Sequence, residues 1–222
     1  MGGNFTWHDF ATRDDLASAF AAVVAGRLAE AIAARGEALI AVSGGATPAK
    51  FFAALSTQAI AWDKVVVTLI DERFVPMASP RSNAALVADN LLQGKAAVAR
   101  FVPLYHEARS IEAAAALADG VLRKLAWPLD AAVLGMGNDG HTASFFPDAE
   151  NLPELLDPAS ERTVLPVHAP SAGEPRLTLS AARIVAARFL ALHIEGAEKR
   201  ATFESATGTG EKKPIRAVID AS

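Results

Sequence analysis

Short apolar runs alternate with longer amphipathic stretches along most of this chain. Residues 38–42 (ALIAV), 65–70 (VVVTLI), 100–104 (RFVPL) and 131–134 (AAVL) are nearly continuous hydrophobic runs. Such runs are the mark of strands covered on both faces. Residues 163–167 and 189–194 are predicted as further strands, and 215–219 as the last one. Between them, 49–55, 82–92, 111–125 and 198–205 read as helices, with Ser82 or Asn83 capping the second. Buried strands alternating with helices predict an α/β fold, a mostly parallel sheet with helices on both faces, Rossmann-like in its layering. No repeat or low-complexity linker divides the chain, so residues 1–222 are read as a single domain. The stretch 147–175 carries six prolines. It is predicted as a long connection lying over that domain.

Composition narrows the function. The formal net charge is -4, with no basic tail. No nucleic acid or membrane partner is expected, and an anionic ligand must be held by a local cluster of cations and backbone N–H groups. The chain has no cysteine. Disulfides, Cys-ligated zinc and a Cys nucleophile are therefore excluded. The opening MGGNFTWHDFATRDD lacks the basic and apolar regions of a signal peptide, and Thr6 is weak support for myristoylation of Gly2. No apolar run is long enough to span a bilayer, and a cytoplasmic location is expected.

In open α/β sheets ligands bind outside the carboxyl ends of the strands. Three loops there are chemically unusual. The first is Ser43-Gly44-Gly45-Ala46-Thr47-Pro48, between a strand and a helix. Its glycines permit close backbone approach, Thr47 can cap the helix, and the free N–H groups attract an anion such as phosphate. It is not a Walker A loop, since no Gly-Lys-Ser/Thr follows. Alone, it serves equally as a tight turn. The second is Asp71-Glu72-Arg73, with Pro76 and Arg81-Ser82-Asn83 downstream. Arg73 suits a carboxylate or a phosphate. Alone, this loop reads better as an ion pair at a helix start.

The third loop runs Gly135-Met136-Gly137-Asn138-Asp139-Gly140-His141. A carboxylate beside an imidazole fixes its tautomer and raises its basicity, which suits a general base. An isolated Asp139 or His141 would read as a helix cap, but beside three glycines chemistry is the better reading. The Gly-x-Gly-x-x-Gly here is too late in the chain for a dinucleotide fingerprint. His8, His106, His168 and His193 share no motif and no metal spacing. They read as structural or surface residues. A fourth element holds Pro175-Arg176-Leu177-Thr178 and, later, Gly196-Ala197-Glu198-Lys199. Lys199 falls in the first turn of a predicted helix, where the dipole disfavours a cation and a bound anion would offset that cost.

Together these five segments resemble the 6-phosphogluconolactonase family, which groups with the glucosamine-6-phosphate deaminases in one α/β superfamily. They follow that family's order and span most of the chain. The resemblance implies a glucosamine-6-phosphate isomerase/deaminase-like fold. It implies hydrolysis of 6-phospho-D-glucono-1,5-lactone to 6-phosphogluconate in the oxidative pentose phosphate pathway, with no organic cofactor and no metal. By position, His141 is implied as the base that activates water, Asp139 as its orienting acid and Arg73 as an active-site cation. Ser43, Gly44, Gly45, Thr47, Asp71, Arg176 and Lys199 are implied as phosphate and sugar contacts. The expected partner is a small sugar phosphate, and the expected state is a monomer. Ala46 stands where relatives often carry a hydroxyl, and Phe145 where leucine is common.

Two rivals are separable. The deaminase branch continues toward an Asn-Glu pair, where this chain has Ser144-Phe145-Phe146-Pro147. Its second loop usually reads Asp-Glu-Tyr, and here it is Asp-Glu-Arg. A non-catalytic sugar-phosphate sensor would need no Asp139–His141 pair. Such a protein usually carries a DNA-binding segment, and this chain has no basic helix-turn-helix pattern.

Overall fold

The computed structural model describes residues 5–208 and 213–221. Met1, Gly2 and Gly3, the residues of the myristoylation reading, lie outside them. Five strands form a parallel sheet in the order β4-β2-β1-β5-β8: β1 (Ala38–Val42), β2 (Val65–Leu69), β4 (Arg100–Phe101), β5 (Ala131–Leu134) and β8 (Leu190–Leu192). Both β1 and β2 are buried along their whole length. Their β-branched and aliphatic side chains suit a pleated surface covered on both faces, each contributing about 1.5–3 kcal/mol when fully buried. Thr68 is the polar exception in β2, and its hydroxyl donates to Val102 O at 2.7 Å.

The helices close the layers. α1 (Arg13–Arg35) lies ahead of the first strand that the sequence predicts. Thr12 caps it by accepting from Asp15 N at 3.1 Å. α1 has the length and mean hydropathy of a membrane span. Its stripe Ala21, Val24, Ala25 and Leu28 is nevertheless buried in the common core with β1 and α2 (Ala49–Ser56). α3 (Asn83–Asn90) and α4 (Ile111–Leu122) begin at Ser82 and Ser110, whose hydroxyls accept from Ala85 N and Ala113 N at 3.2 Å. Asp119 of α4 accepts from Thr163 N at 2.6 Å and Val164 N at 3.1 Å, pinning the helix to the second sheet.

That second sheet is antiparallel, in the order β3-β7-β6: β3 (Asp71–Arg73), β7 (Arg176–Leu179) and β6 (Val164–Val167). A single residue, Ile70, carries the chain from β2 into β3. The stretch 147–175 is more structured than a plain connection. It holds α5 (Leu152–Leu155), β6 and a 3-10 turn at Pro170–Ala172. α6 (Ala181–Val185) and α7 (Ala197–Thr207) follow. The predicted strand at 215–219 is a helix, α8 (Pro214–Ala221). Pro214, Ile215 and Val218 are its buried residues, and apolar positions three and four apart belong to one helical face.

The site's location follows from strand order. From β1 the chain winds outward one way through β2 and β4, then returns to the other side of β1 for β5 and β8. The reversal lies between β1 and β5, where a crevice opens at the carboxyl ends. Val42 pairs with both Leu69 and Val133, so the loops after β1, β2 and β5 leave the sheet at one level.

Candidate active site

The loop after β1 is anchored by Ser43 N, which donates to Val133 O at 2.9 Å. Asn83 packs over Gly44 so closely that a Cβ there would sit 1.9 Å from Asn83 Oδ1. Only glycine fits. The helix that follows starts at Ala49, with Pro48 at its cap position and no side-chain cap bond. Thr47 therefore does not cap α2 as predicted, and it lines the cleft instead.

The segment after β2 divides its labour. Glu72 is fully buried and accepts from Ser82 Oγ at 3.0 Å, Asn83 N at 2.8 Å, Ala84 N at 2.7 Å and Arg73 N at 2.8 Å. Burial pushes its pKa up, against the pull of those donors. It is the structural acid at the start of α3. Asp71 and Arg73, either side of it along β3, line the cleft. Asp71 accepts from Ser144 Oγ at 2.7 Å, which ties this segment to the third loop. Arg73 donates through Nη1 to Arg81 O.

β3 pairs with β7 so that Arg73 stands directly opposite Arg176. Like charges across a strand pair repel. Arg176 is held by Ala172 O at 2.9 Å and stands 3.7 Å from Glu174. Burial lowers its pKa, and Arg73 lowers it further against Asp71 and the two nearby glutamates. Two opposed guanidiniums in a half-buried wall are an arrangement that an anion would relieve.

The third loop builds the acid–imidazole pair. His141 Nδ1 lies 2.6 Å from Asp139 Oδ1, and His141 N donates to the same oxygen at 3.2 Å. The pair lies across Gly137, where an added Cβ would stand 2.4 Å from the imidazole and 2.6 Å from the carboxylate. Gly137 N donates to His141 O at 2.9 Å and closes the turn. No helix follows directly, so neither residue is a cap. The imidazole meets the Phe146 ring at 4.3 Å between centroids, and the Arg176 guanidinium lies over that phenylalanine ring at 5.7 Å. Ala143, between them in sequence, takes φ 52. A non-glycine residue held there costs about 1–3 kcal/mol. The bonds of Thr142 to Gly135 O and of Ser144 to Asp71 on either side impose it.

These loops enclose a cleft of about 330 Å³. Ser43, Gly44, Gly45, Thr47, Asp71, Arg73, His141, Arg176 and Lys199 all line it, and Asp139 stands behind His141. Lys199 is the third residue of α7, in its first turn as expected. Buried polar atoms without a hydrogen-bond partner gather here: Ser43 Oγ, Arg73 Nε, Arg176 Nε and both ring nitrogens of His193. Five such atoms share this one cleft, an arrangement that suits a polar ligand. Asn83, Phe146 and His193 line the cleft without having been singled out as site residues. His193, read from the sequence as a structural or surface histidine, is buried and lines the cleft. Its signal was its position at the exit of the last parallel strand.

An open parallel sheet with an oriented imidazole and three cations lining a cleft at its switch point is the arrangement of an α/β enzyme, and the cleft's chemistry suits an anion. Residues 11–222 match the sequence profile described as glucosamine-6-phosphate isomerases/6-phosphogluconolactonase. The chain belongs to this family. It is 66% identical over 221 residues to a 6-phosphogluconolactonase of Mesorhizobium japonicum, covering 100% of this chain and 93% of that protein. It is 53% identical over 214 residues to a 6-phosphogluconolactonase of Rhizobium meliloti, covering 96% and 92%. The crystal structure of a 6-phosphogluconolactonase from Shewanella baltica superposes with a TM-score of 0.91 at 38% identity, covering 95% and 90%.

Proposed function

We propose that the chain hydrolyses 6-phospho-D-glucono-1,5-lactone to 6-phospho-D-gluconate in the oxidative pentose phosphate pathway, with His141 as general base. The observation that carries this reading is the Asp139–His141 pair opening onto the same cleft as Arg73, Arg176 and Lys199. Asp139 engages Nδ1, which leaves Nε2 to take a proton from water. The water oxygen bonds to C1, and a cation of the cleft stabilises the oxyanion. Arg73 is the group we assign to that role. The C1–ring oxygen bond then breaks, and His141 returns its proton to the ring oxygen. The Ser43–Thr47 loop, Arg176 and Lys199 hold the 6-phosphate, with Asp71 on the sugar side. We further propose that the chain works as a monomer in the cytoplasm, which light scattering of the purified protein checks for the oligomeric state.

The sister activity, deamination of glucosamine 6-phosphate, would need an acid just after the Asp139–His141 turn. Phe145 is buried there, and Phe146 lies against the imidazole. The next acid, Asp148, is engaged by Ser171 N at 2.8 Å and Ser171 Oγ at 2.6 Å. No ammonia release from glucosamine 6-phosphate is expected.

Two substitutions test the division of roles. Arg176→Ala removes a phosphate contact made in the ground state. A hydrogen bond to a charged group is worth about 1.5–3 kcal/mol, so KM should rise about 10–100-fold with a smaller change in kcat. Initial rates over a range of lactone concentrations separate the two constants. Gly137→Ala inserts a methyl under the imidazole. A shift of about 1 Å at reacting groups can cost about 10²-fold, so kcat should fall to that extent while the fold survives. A kcat close to wild type in Gly137→Ala would show that the pair tolerates displacement.

A further inference from the structure

His193 follows β8, and its N–H donates to Leu134 O at 2.8 Å. The ring is boxed by Phe20 of α1 at 5.6 Å and Phe51 of α2 at 5.9 Å between centroids. It is 6% exposed and lines the cleft with Lys199. Neither nitrogen makes a hydrogen bond, although Glu195 Oε1 stands 3.4 Å from Nε2. Glu195 is also gripped by Arg13 Nε at 2.8 Å. A buried imidazole at the wall of a cleft, with a carboxylate at 3.4 Å that it does not fully engage, is poised to respond to charge in that cleft.

Three parts of the anion-holding end meet at this ring. α2 is the helix entered from the Ser43–Thr47 loop. Glu195 precedes Gly196, whose φ of 87° turns the chain into α7. Lys199 is in the first turn of that helix. We propose that His193 is a positioning residue for the phosphate end of the cleft: it takes up a proton as a dianion binds, closes onto Glu195, and so fixes the Glu195–Gly196 turn that aims Lys199. The inference rests on reading this cleft as a sugar-phosphate site.

The charges around the ring give the sign. Glu195 on its own turn and Lys199 on α7 face it. α1 and α2 present the rings of Phe20 and Phe51, and Arg13 of α1 grips Glu195. Burial pushes the imidazole pKa down and Lys199 adds to that, while Glu195 pulls it up. The net shift is downward, so the ring is neutral in the free protein at neutral pH. A bound dianion offsets the field of Lys199 and adds negative charge, which raises the pKa and draws a proton from solvent. Anion affinity must then be greatest at low pH and fall as pH rises, by at most one proton's worth of slope.

Sulfate is a suitable probe, because it stays dianionic across the range of an imidazole, about pH 5.5 to 8. His141 is a second imidazole lining the cleft, so the comparison uses His141→Asn as background. In that protein, sulfate affinity measured by calorimetry should fall as pH rises by up to about tenfold per unit. Adding His193→Phe, which fills the aromatic box without a proton site, should flatten the profile. His193→Gln serves the same purpose should the phenylalanine variant fail to fold. The His193 ring signals, assigned by their loss in the variant, should titrate at higher pH when sulfate is saturating. A slope that persists without His193, or a titration midpoint that sulfate does not move, overturns the proposal. Absence of sulfate binding removes the anion site beneath it. Failure of the lactonase reading shows separately, as wild-type protein that binds sulfate with this pH dependence yet leaves the lactone untouched.

Discussion

His141→Ala is expected to lower kcat for the lactone by about 10²–10⁴-fold, the usual contribution of a positioned general base, with a smaller change in KM. The expectation follows from where the imidazole sits. Asp139 holds Nδ1 at 2.6 Å and Phe146 supports one face of the ring, so the side chain is fixed before substrate arrives. The phosphate contacts we assign lie on other elements, at the Ser43–Thr47 loop, Arg176 and Lys199. Removing the imidazole therefore takes away an interaction made in the transition state and leaves ground-state binding mostly in place. Asp139→Asn should fall between wild type and His141→Ala. The ring stays, but its tautomer and basicity are no longer set by a carboxylate. Steady-state rates for the three proteins, corrected for spontaneous hydrolysis, check this order. A variant that lost KM and kept kcat would reassign His141 to binding.

Glu72→Ala should be the most destabilising single change near the site, although Glu72 does not reach the cleft. Its carboxylate answers three backbone N–H groups and one hydroxyl, all but the Arg73 N–H at the start of α3. Removing one side of a buried charged network costs about 3–5 kcal/mol, because the other side is left without partners. In a chain of this size that corresponds to a fall of roughly 10 °C in Tm. Activity should fall as well. The start of α3 carries Asn83, whose side chain donates to Asp71 O at 2.8 Å and packs over Gly44. Glu72→Gln keeps one acceptor and should lose less. Thermal melting of the two variants beside wild type checks the prediction. An alanine variant that melts with wild type would mean that water satisfies the donors and the network is not structural.

Much of this was legible in the chain, for physical reasons that differ from element to element. β1 and β5 are continuous aliphatic runs and β2 is one but for Thr68, and their buried-strand character needs no tertiary information. The loops after them carry glycines and ionisable groups that no buried turn would hold without cause. The face-off of Arg73 and Arg176 was not legible. It depends on an antiparallel register between segments some hundred residues apart, and the same antiparallel sheet absorbed residues read as loops. α1 went unassigned because an alanine-rich helix has little contrast between its faces, even though Thr12 at its start is a good cap. The apolar residues at 215–219 read as a strand when taken as a run, and only their three-and-four spacing matches the helix at 214–221. Thr47 was given a capping role that Pro48 displaces. The place of His193 was not legible either, since only strand order brings it into one cleft with the Ser43–Thr47 loop.

The measurement that meets the central claim most directly is the loss of 6-phosphogluconolactone, generated in situ, against its spontaneous background. Wild-type protein should accelerate it strongly, and His141→Ala, shown to be folded by its melting curve, should remove nearly all of that acceleration. Wild-type protein that is folded yet leaves the background rate unchanged would contradict the lactonase reading. An unaffected His141→Ala would contradict the role given to the acid–imidazole pair.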